Sequence, residues 1–238
     1  MSEISEFAKE RYAQSSMTGN DFSAERVKTV VSWLPKSGKL LEIGVWDGSI
    51  VRNYRPAFEG EIYGTDLSEE VMRKALPLLK EAKACDLNRD PLPWDDATFD
   101  CVVCCEVIEH IVDTDRLLAE LRRVLKPGGV LVLSTPNLAS GINRLFVLLG
   151  WQPLSTEVST RRSNYGNPLR KPLVPAGHVR SYTCRALREQ VSDAGFFVEK
   201  ATSAPVAATP LVKAVEKLFG ALSPSLGSDV VLRCRRKA

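Results

Sequence analysis

The chain has little of most features that would assign it to a specialised class of protein. Its 238 residues include only 6 cysteines and 2 histidines, and its 32 basic residues nearly balance its 29 acidic ones, for a formal charge of +3. So few cysteines do not make a disulfide scaffold, and so small a charge does not indicate a dedicated nucleic-acid binder. Charges interrupt every apolar run before the roughly 20 residues of a membrane span, and the acids near the start are atypical of a signal peptide. We therefore expect a cytoplasmic protein with no integral membrane segment.

Three of the cysteines lie close together in the apolar run FDCVVCCEV, residues 99–107. The C-x-x-C spacing is one that zinc sites use, but no second pair completes four ligands. On a strand, Cys101 and Cys105 share one face and Cys104 takes the other. We expect buried thiols that pack as small apolar side chains.

Short apolar runs alternate with longer amphipathic ones up to residue 137. The short runs predict strands over 39–45, 61–66, 99–105 and 129–136, and the amphipathic runs predict helices over 22–34, 69–80 and 114–125. This alternation predicts a parallel sheet with helices on both faces. A ligand site is then expected beyond the carboxyl ends of the strands.

The alternation stops after residue 137. We predict an apolar helix over 138–151, a polar segment over 152–177, a helix over 183–194 and strands near 196–203 and 229–234. Between residues 157 and 190 there are seven basic residues and only two acids, Glu157 and Glu189. A long stretch without regular structure in a compact domain is usually functional. We expect a single domain over residues 1–238, with residues 1–21 as an N-terminal cap and residues 138–180 as an insert on the substrate side.

The first predicted strand ends in the turn LLEIGVWDGS, residues 40–49. Gly44 and Gly48 allow backbone N–H groups to approach a ligand and direct a helix N-terminus at it. Their spacing lacks the G-x-G-x-x-G fingerprint, which argues against a nicotinamide-dependent oxidoreductase. Asp66 ends the second strand, where an acid either accepts both hydroxyls of a ribose or caps the next helix. Asp86 follows the third strand in the same way.

Five motifs in order between residues 38 and 137 resemble those of the class I S-adenosylmethionine-dependent methyltransferases, of methyltransferase types 11 and 12. They are LLEIGVWDG, YGTDLS, ACDLNRDPLPWDDATFD, CCEVIEHI and LRRVLKPGGVLVLSTPN. The chain is also similar to the ubiquinone-biosynthesis O-methyltransferases. The resemblance implies a Rossmann-like sheet of seven strands, mostly parallel with an antiparallel last strand. It implies S-adenosylmethionine as the cofactor and S-adenosylhomocysteine as the product.

The resemblance also implies nine cofactor-binding residues. Those at the methionine part of the cofactor are Glu42, Gly44, Gly48, Cys105 and Glu106. Those at the ribose and the adenine are Asp66, Leu67, Asp86 and Leu87. Trp46 stands where the family usually has the middle glycine of the turn, and it either covers the turn or contacts the cofactor directly.

The two histidines are the candidate catalytic residues. His110 ends the motif EVIEH and His178 lies in GHVRSYT, just before a predicted helix. Either histidine could remove a proton from a hydroxyl acceptor, or both could be structural. If a helix begins at Glu106, that residue and Glu109 share one face beside His110. With His178 they could bind Mg²⁺ or Mn²⁺, as the resemblance to small-RNA 2′-O-methyltransferases implies.

The acceptor is expected to contact the insert, where an apolar helix precedes basic residues. This combination favours an amphiphilic or anionic substrate. We expect O-methylation of a small-molecule, glycan or lipid-linked acceptor, by a monomer or homodimer. A metal-dependent RNA 2′-O-methyltransferase is the alternative, although the chain lacks an aromatic platform for single strands. A non-catalytic module that binds S-adenosylmethionine is the second alternative.

Overall fold

Seven strands form one mixed sheet in the computed structural model, which describes residues 23–171, 173–206 and 209–238. The strands are β1 (Ser37–Ile43), β2 (Glu59–Asp66), β3 (Glu81–Ala84), β4 (Phe99–Cys105), β5 (Leu125–Pro136), β6 (Phe196–Ala204) and β7 (Asp229–Arg236). Their order is β3-β2-β1-β4-β5-β7-β6, and only β7 runs antiparallel to its neighbours. The predicted sheet is therefore confirmed, including its antiparallel last strand.

Seven α-helices accompany the sheet within the described ranges. They are α1 (Ala24–Trp33), α2 (Ser49–Tyr54), α3 (Glu69–Met72), α4 (Thr114–Val124), α5 (Gly141–Leu148), α6 (Cys184–Asp193) and α7 (Pro210–Leu222). The predictions over 22–34, 114–125 and 183–194 are confirmed as α1, α4 and α6. Each of these three helices has an N-cap residue whose side chain accepts a hydrogen bond from a backbone N–H of the first turn. The N-caps are Ser23, Asp113 and Thr183.

One predicted helix needs correction, and one observed helix was not predicted. The helix predicted over 69–80 is too long, since α3 ends at Met72 and a separate 3-10 turn spans Leu76–Leu78. Pro77 lacks the N–H of a continuing helix and clashes with the preceding turn. Helix α7 is not among the predicted helices, although Pro210 at its first position is a helix-start signal. The predicted cap over residues 1–21 lies outside the described residues.

Apolar side chains cover both faces of the sheet, and β4 at its centre contributes to both layers. Val102 and Cys104 pack in the layer that contains α4 and α6. Cys101 and Cys105 pack in the opposite layer, with side chains of α1 and α2. The expectation that Cys101, Cys104 and Cys105 are buried thiols is confirmed, and the other three cysteines are buried free thiols as well.

Ion pairs attach helix α1 to helix α7. The carboxylate of Glu25 lies 2.9 Å from Nζ of Lys213 and 3.2 Å from Nζ of Lys217. The hydrogen bonds from Lys213 and Lys217, together with the charge of Lys213, lower the pKa of Glu25 to about 2. The hydroxyl of Ser23, which caps α1, donates to the carbonyl of Pro205 at 2.6 Å. These contacts hold α1 beside the region that follows β6.

Replacing Glu25 by Gln is expected to remove a pH-dependent contribution to the free energy of unfolding. Because the folded pKa lies below the ordinary value of 4.5, this contribution is present above pH 4.5 and is lost as the pH falls toward 2. Solvent screening limits it to about 1 kcal/mol at neutral pH. Urea unfolding of both proteins at several pH values should show a difference that shrinks on acidification. Glu189→Gln, in an exposed pair within one helix, is the control, and a gap independent of pH would contradict the assignment.

Candidate active site

A cavity of about 990 Å³ lies at the carboxyl ends of the parallel strands. One wall comes from the segments that follow β1, β2, β3 and β4, and the other comes from residues 157–161 and 175–179 of the insert. Five of the predicted cofactor residues line it, namely Gly44, Asp66, Leu67, Asp86 and Leu87. Both histidines line it as well. The strand ends therefore meet the insert at one site.

The turn after β1 brings the backbone against this cavity. Gly44 has φ +76°, and a Cβ there would lie 2.8 Å from Cγ2 of Val107, so a larger residue would strain the turn. Trp46 has a left-handed backbone, with φ 51°, at the position where the motif resemblance predicts a glycine. Its N–H donates to Oδ2 of Asp66 at 2.8 Å. The turn thus keeps the conformation that glycine would allow.

Asp66 is a buried carboxylate at the end of β2. Besides the Trp46 N–H, it accepts the N–H of Ser68 at 3.1 Å. Burial raises the pKa of its carboxyl group. Asp66 is not the cap of α3, because Ser68 occupies that position and accepts the N–H of Val71. A buried acid that lines the cavity and does not cap the helix is well placed to accept hydrogen bonds from a ligand.

Four predicted cofactor residues are not among those that line the cavity. Gly48 is the N-cap of α2. Glu42 is 1% exposed, and burial raises the pKa of its carboxyl group well above the usual range. Burial likewise raises the pKa of the Cys105 thiol to about 12, so the thiol stays protonated. These residues support the turn and the end of β4, and their contact with a cofactor stays a prediction.

Glu106, the fourth of them, is half-buried and forms an ion-pair network with two buried residues. Nη1 of Arg26 lies 3.2 Å from Oε2 of Glu106 and 2.5 Å from Oδ2 of Asp229. The hydroxyl of Ser134 donates to Oε1 of Glu106 at 2.7 Å. Burial opposes the charge of Arg26, but the two carboxylates raise its pKa above the ordinary range. Arg26 therefore stays charged between two acids.

The prediction that Glu106 and Glu109 share one face of a helix is wrong. Glu106 has a left-handed φ of 56°, and the 3-10 turn that follows begins only at Ile108. The two carboxylates consequently belong to different environments. Glu106 pairs with Arg26, whereas Glu109 lies beside the histidines.

The rings of His110 and His178 lie side by side, with their centroids 4.9 Å apart and their planes inclined by 59°. Nδ1 of His110 lies 3.1 Å from the carbonyl oxygen of Gly177, and Nδ1 of His178 lies 3.1 Å from that of Ser155. A carbonyl oxygen only accepts, so each Nδ1 carries the hydrogen and each Nε2 of a neutral ring is left as an acceptor. Burial lowers the pKa of His110, which favours the neutral ring. Both histidines can thus accept a proton.

Glu109 completes a cluster of possible metal ligands. Its side chain is buried, and the hydroxyl of Thr135 donates to Oε2 at 2.9 Å. Oε1 has no hydrogen-bond partner in the described part of the chain, and burial raises the pKa of the carboxyl group to about 8. One ligand atom each from Glu109, His110 and His178 lie within 4.8 Å of one another. This set of nitrogen and oxygen ligands suits a divalent transition metal.

Glu157 is a site residue that the sequence patterns do not identify. Its carboxylate accepts the N–H groups of Ala176 at 2.6 Å, Gly177 at 2.7 Å and His178 at 3.1 Å. It therefore fixes the carbonyl that orients His110 and the backbone of His178. The one available signal is that Glu157 is the only acid between residues 138 and 188.

Comparisons with known proteins agree on one family. Residues 11–201 match the family model described as a methyltransferase domain. A probable S-adenosylmethionine-dependent methyltransferase of Mycolicibacterium smegmatis is 40% identical over 91 residues, which are 33% of this chain and 35% of that protein. The ubiquinone biosynthesis O-methyltransferase of Thiobacillus denitrificans is 31% identical over 118 residues, which are 47% of this chain and 50% of that protein.

The fold of the described residues agrees with this family. The crystal structure of a Thermotoga maritima S-adenosylmethionine-dependent methyltransferase, described as a possible histamine N-methyltransferase, superposes with a TM-score of 0.65 at 20% identity and full coverage of both chains. The chain spans only about a third to a half of the curated relatives above. Other relatives are named as C-methyltransferases and as a phosphoethanolamine N-methyltransferase. The acceptor atom therefore has to be argued from the site itself.

Replacing Asp66 by Ala is expected to weaken S-adenosylhomocysteine binding roughly 10- to 100-fold, because two hydroxyl hydrogen bonds to a carboxylate would be lost. Isothermal titration calorimetry measures the affinity, and circular dichroism checks that the fold is intact. Asp90→Ala, which removes an exposed acid beyond β3, is the matched control and should bind normally. Equal affinities of the two variants would refute the placement of the ribose.

Proposed function

Because the chain belongs to the class I S-adenosylmethionine-dependent methyltransferases, we propose that it methylates a hydroxyl oxygen of a small or lipid-linked amphiphile. The cofactor supplies a methyl group activated on a sulfonium. The residues of this chain bind the cofactor, align the acceptor and remove the hydroxyl proton. The observation that carries the proposal is the pair of histidines on the cavity wall, each with Nδ1 beside a carbonyl oxygen.

The cavity wall fits the proposed cofactor. Gly44 leaves space that a larger side chain would fill. The Asp66 carboxylate is suited to accept hydrogen bonds from the two hydroxyls of a ribose. Asp86 and Leu87 line the same wall after β3 and would contact the adenine. These residues orient the cofactor from the strand ends, so the opposite wall is free to hold the acceptor.

The histidine pair favours oxygen over nitrogen as the acceptor atom. A neutral amine already carries the lone pair that attacks, whereas a hydroxyl becomes a strong nucleophile only as its proton leaves. His110 and His178 offer two proton acceptors on rings whose centroids lie 4.9 Å apart. We assign His178 as the base and His110 as its alternative, since His178 belongs to the wall that faces the acceptor. Most of the remaining rate enhancement would come from alignment of the reacting atoms.

The acceptor wall indicates an amphiphilic substrate. Val158, Pro175 and Val179 give it an apolar surface, and Arg161 places a positive charge beside them. An apolar body with an anionic group matches both features. A phenol with an isoprenoid chain and a lipid-linked sugar phosphate are two substrates of this kind.

Replacing His178 by Asn is expected to lower turnover about 10²- to 10⁴-fold, because the base is lost while an amide can still donate to the Ser155 carbonyl. The assay follows S-adenosylhomocysteine release with a panel of phenols and polyprenyl-linked sugar phosphates. The Kd of S-adenosylhomocysteine should stay within a factor of about two, since His178 is assigned to the acceptor. His110→Asn is the parallel variant. Full activity of both variants would exclude a histidine base.

A second candidate is the same transfer assisted by a divalent metal, which the cluster of Glu109, His110 and His178 favours. When bound, such a metal lowers the pKa of a coordinated hydroxyl. The unpartnered Oε1 of Glu109 is the atom that such an ion would satisfy. In the RNA alternative the hydroxyl would be a ribose 2′-OH, and the basic residues of the insert would hold phosphates.

Calorimetric titration of Mn²⁺ into the protein saturated with S-adenosylhomocysteine distinguishes the two candidates. Micromolar binding that disappears in Glu109→Gln but persists in Glu70→Gln, an exposed glutamate of α3, would establish the metal-assisted route. Acceptors would then include catechols and RNA 3′ ends. Absence of binding in the unmodified chain would leave the histidines as bases.

A further inference from the structure

The insert exposes aliphatic side chains beside basic ones. At the end of α5, Leu148 is 82% exposed and Leu149 is 60% exposed, and Leu169 is 69% exposed. Arg170 and Lys171, which follow Leu169, are exposed as well. We call these five residues the insert surface. Exposed leucines next to basic side chains are the composition of surfaces that lie on a lipid bilayer.

Hydrogen bonds hold the two parts of this surface together. The N–H of Gln152 donates to the carbonyl of Gly166 at 3.0 Å, and Nδ2 of Asn167 donates to the carbonyl of Gln152 at 3.0 Å. The N–H of Leu169 donates to Oδ1 of Asn167 at 3.2 Å. The end of α5 and the segment 166–171 are therefore one unit.

The charge of the insert has one sign on its outer side. Arg161 and Arg162 are exposed in addition to Arg170 and Lys171. The only acid between residues 138 and 188 is Glu157, and its carboxylate is turned inward to three backbone N–H groups. Consequently no carboxylate of the insert offsets these positive charges at the surface, and an anionic partner is favoured.

We propose that the insert surface docks on an anionic lipid bilayer and takes its acceptor from that bilayer. The leucines would enter the interfacial region while the basic residues contact acidic headgroups. Val158, Arg161 and Val179 of the same insert line the cavity, so an amphiphile could pass from the bilayer to the histidines. The choice of acceptor rests on the proposed function, whereas docking itself does not. Among the described residues of the insert, one aromatic side chain, Tyr165, is exposed, and the guanidinium of Arg162 lies 4.6 Å from the centre of its ring. A single ring covered by an arginine is not a platform on which successive bases could stack, so the bilayer is favoured over a nucleic acid.

Sedimentation with vesicles tests the proposal on the full chain. Vesicles of phosphatidylcholine with one-third phosphatidylglycerol should bind the protein, and vesicles of phosphatidylcholine alone should bind it weakly. The double variant Arg170→Glu/Lys171→Glu should lose at least about 30-fold in partitioning, from the two lost attractions alone. Leu148→Gln/Leu169→Gln should lose about tenfold or more without a change of charge.

The region around α3 offers matched controls. Arg73 and Lys74 are also an adjacent exposed basic pair, and Leu76 is an exposed leucine next to them. Arg73→Glu/Lys74→Glu and Leu76→Gln should therefore keep the binding of the unmodified chain. Losses equal to those of the insert variants would overturn the proposal, because the binding would then follow net charge or total apolar surface.

Two further outcomes would also overturn it. One is equal binding to neutral and anionic vesicles, or binding to neither. The other is a single-stranded RNA that binds the insert surface more tightly than the anionic vesicles do and displaces the protein from them. Calorimetry with S-adenosylhomocysteine on every variant separates the two hypotheses. Normal cofactor binding without vesicle binding refutes only the docking, and loss of cofactor binding in the unmodified chain refutes the proposed function.

Discussion

The guanidinium of Arg26 joins three separate parts of the chain around the active site. It comes from α1 and contacts Glu106, just after β4, and Asp229, at the start of β7. A buried acid and a half-buried acid so close together would repel each other without the positive charge between them. Removal of either partner from such a network typically costs about 3–5 kcal/mol. The position of the segment that carries Glu109 and His110 therefore depends on an ion pair formed outside the cavity.

The site consists of two halves that are built from different parts of the chain. The cofactor half consists of turns that follow buried parallel strands, and its key atoms are backbone N–H groups and the Asp66 carboxylate. The acceptor half consists of an insert without strands, held by side-chain hydrogen bonds such as those of Asn143 and Asn167. The first half is rigid because the sheet is buried on both faces. The second depends on a small number of polar contacts.

The cofactor half could be predicted because it follows from local rules. Parallel strands place their carboxyl ends at one edge, so Gly44, Asp66 and Asp86 had to converge there. Predictions failed where local rules compete or end. Pro77 divides the helix expected over 69–80, and the left-handed backbone at Glu106 separates it from Glu109. Helical periodicity contains no information on either effect.

For the acceptor half, the sequence predicts which residues are present but not how they are arranged. The sequence places two histidines in the domain, but their proximity depends on the path of the insert, which brings residue 178 back over residue 110. That path depends on Glu157, whose three acceptor contacts are with residues about twenty positions away. No periodicity or turn motif specifies such a contact. It becomes visible only when the backbone N–H groups of residues 176–178 are traced to their acceptor.

The three hydrogen bonds that Glu157 accepts have a consequence for how this protein can diverge in evolution. They join parts of the insert to one another, whereas the contacts of the insert with the segment after β4 involve a few residues such as Gly177, Val179 and Arg180. Selection can then alter the acceptor while the requirement for the methyl donor is inherited intact. Position 157 is different, since loss of its carboxylate would leave three backbone N–H groups to find new acceptors.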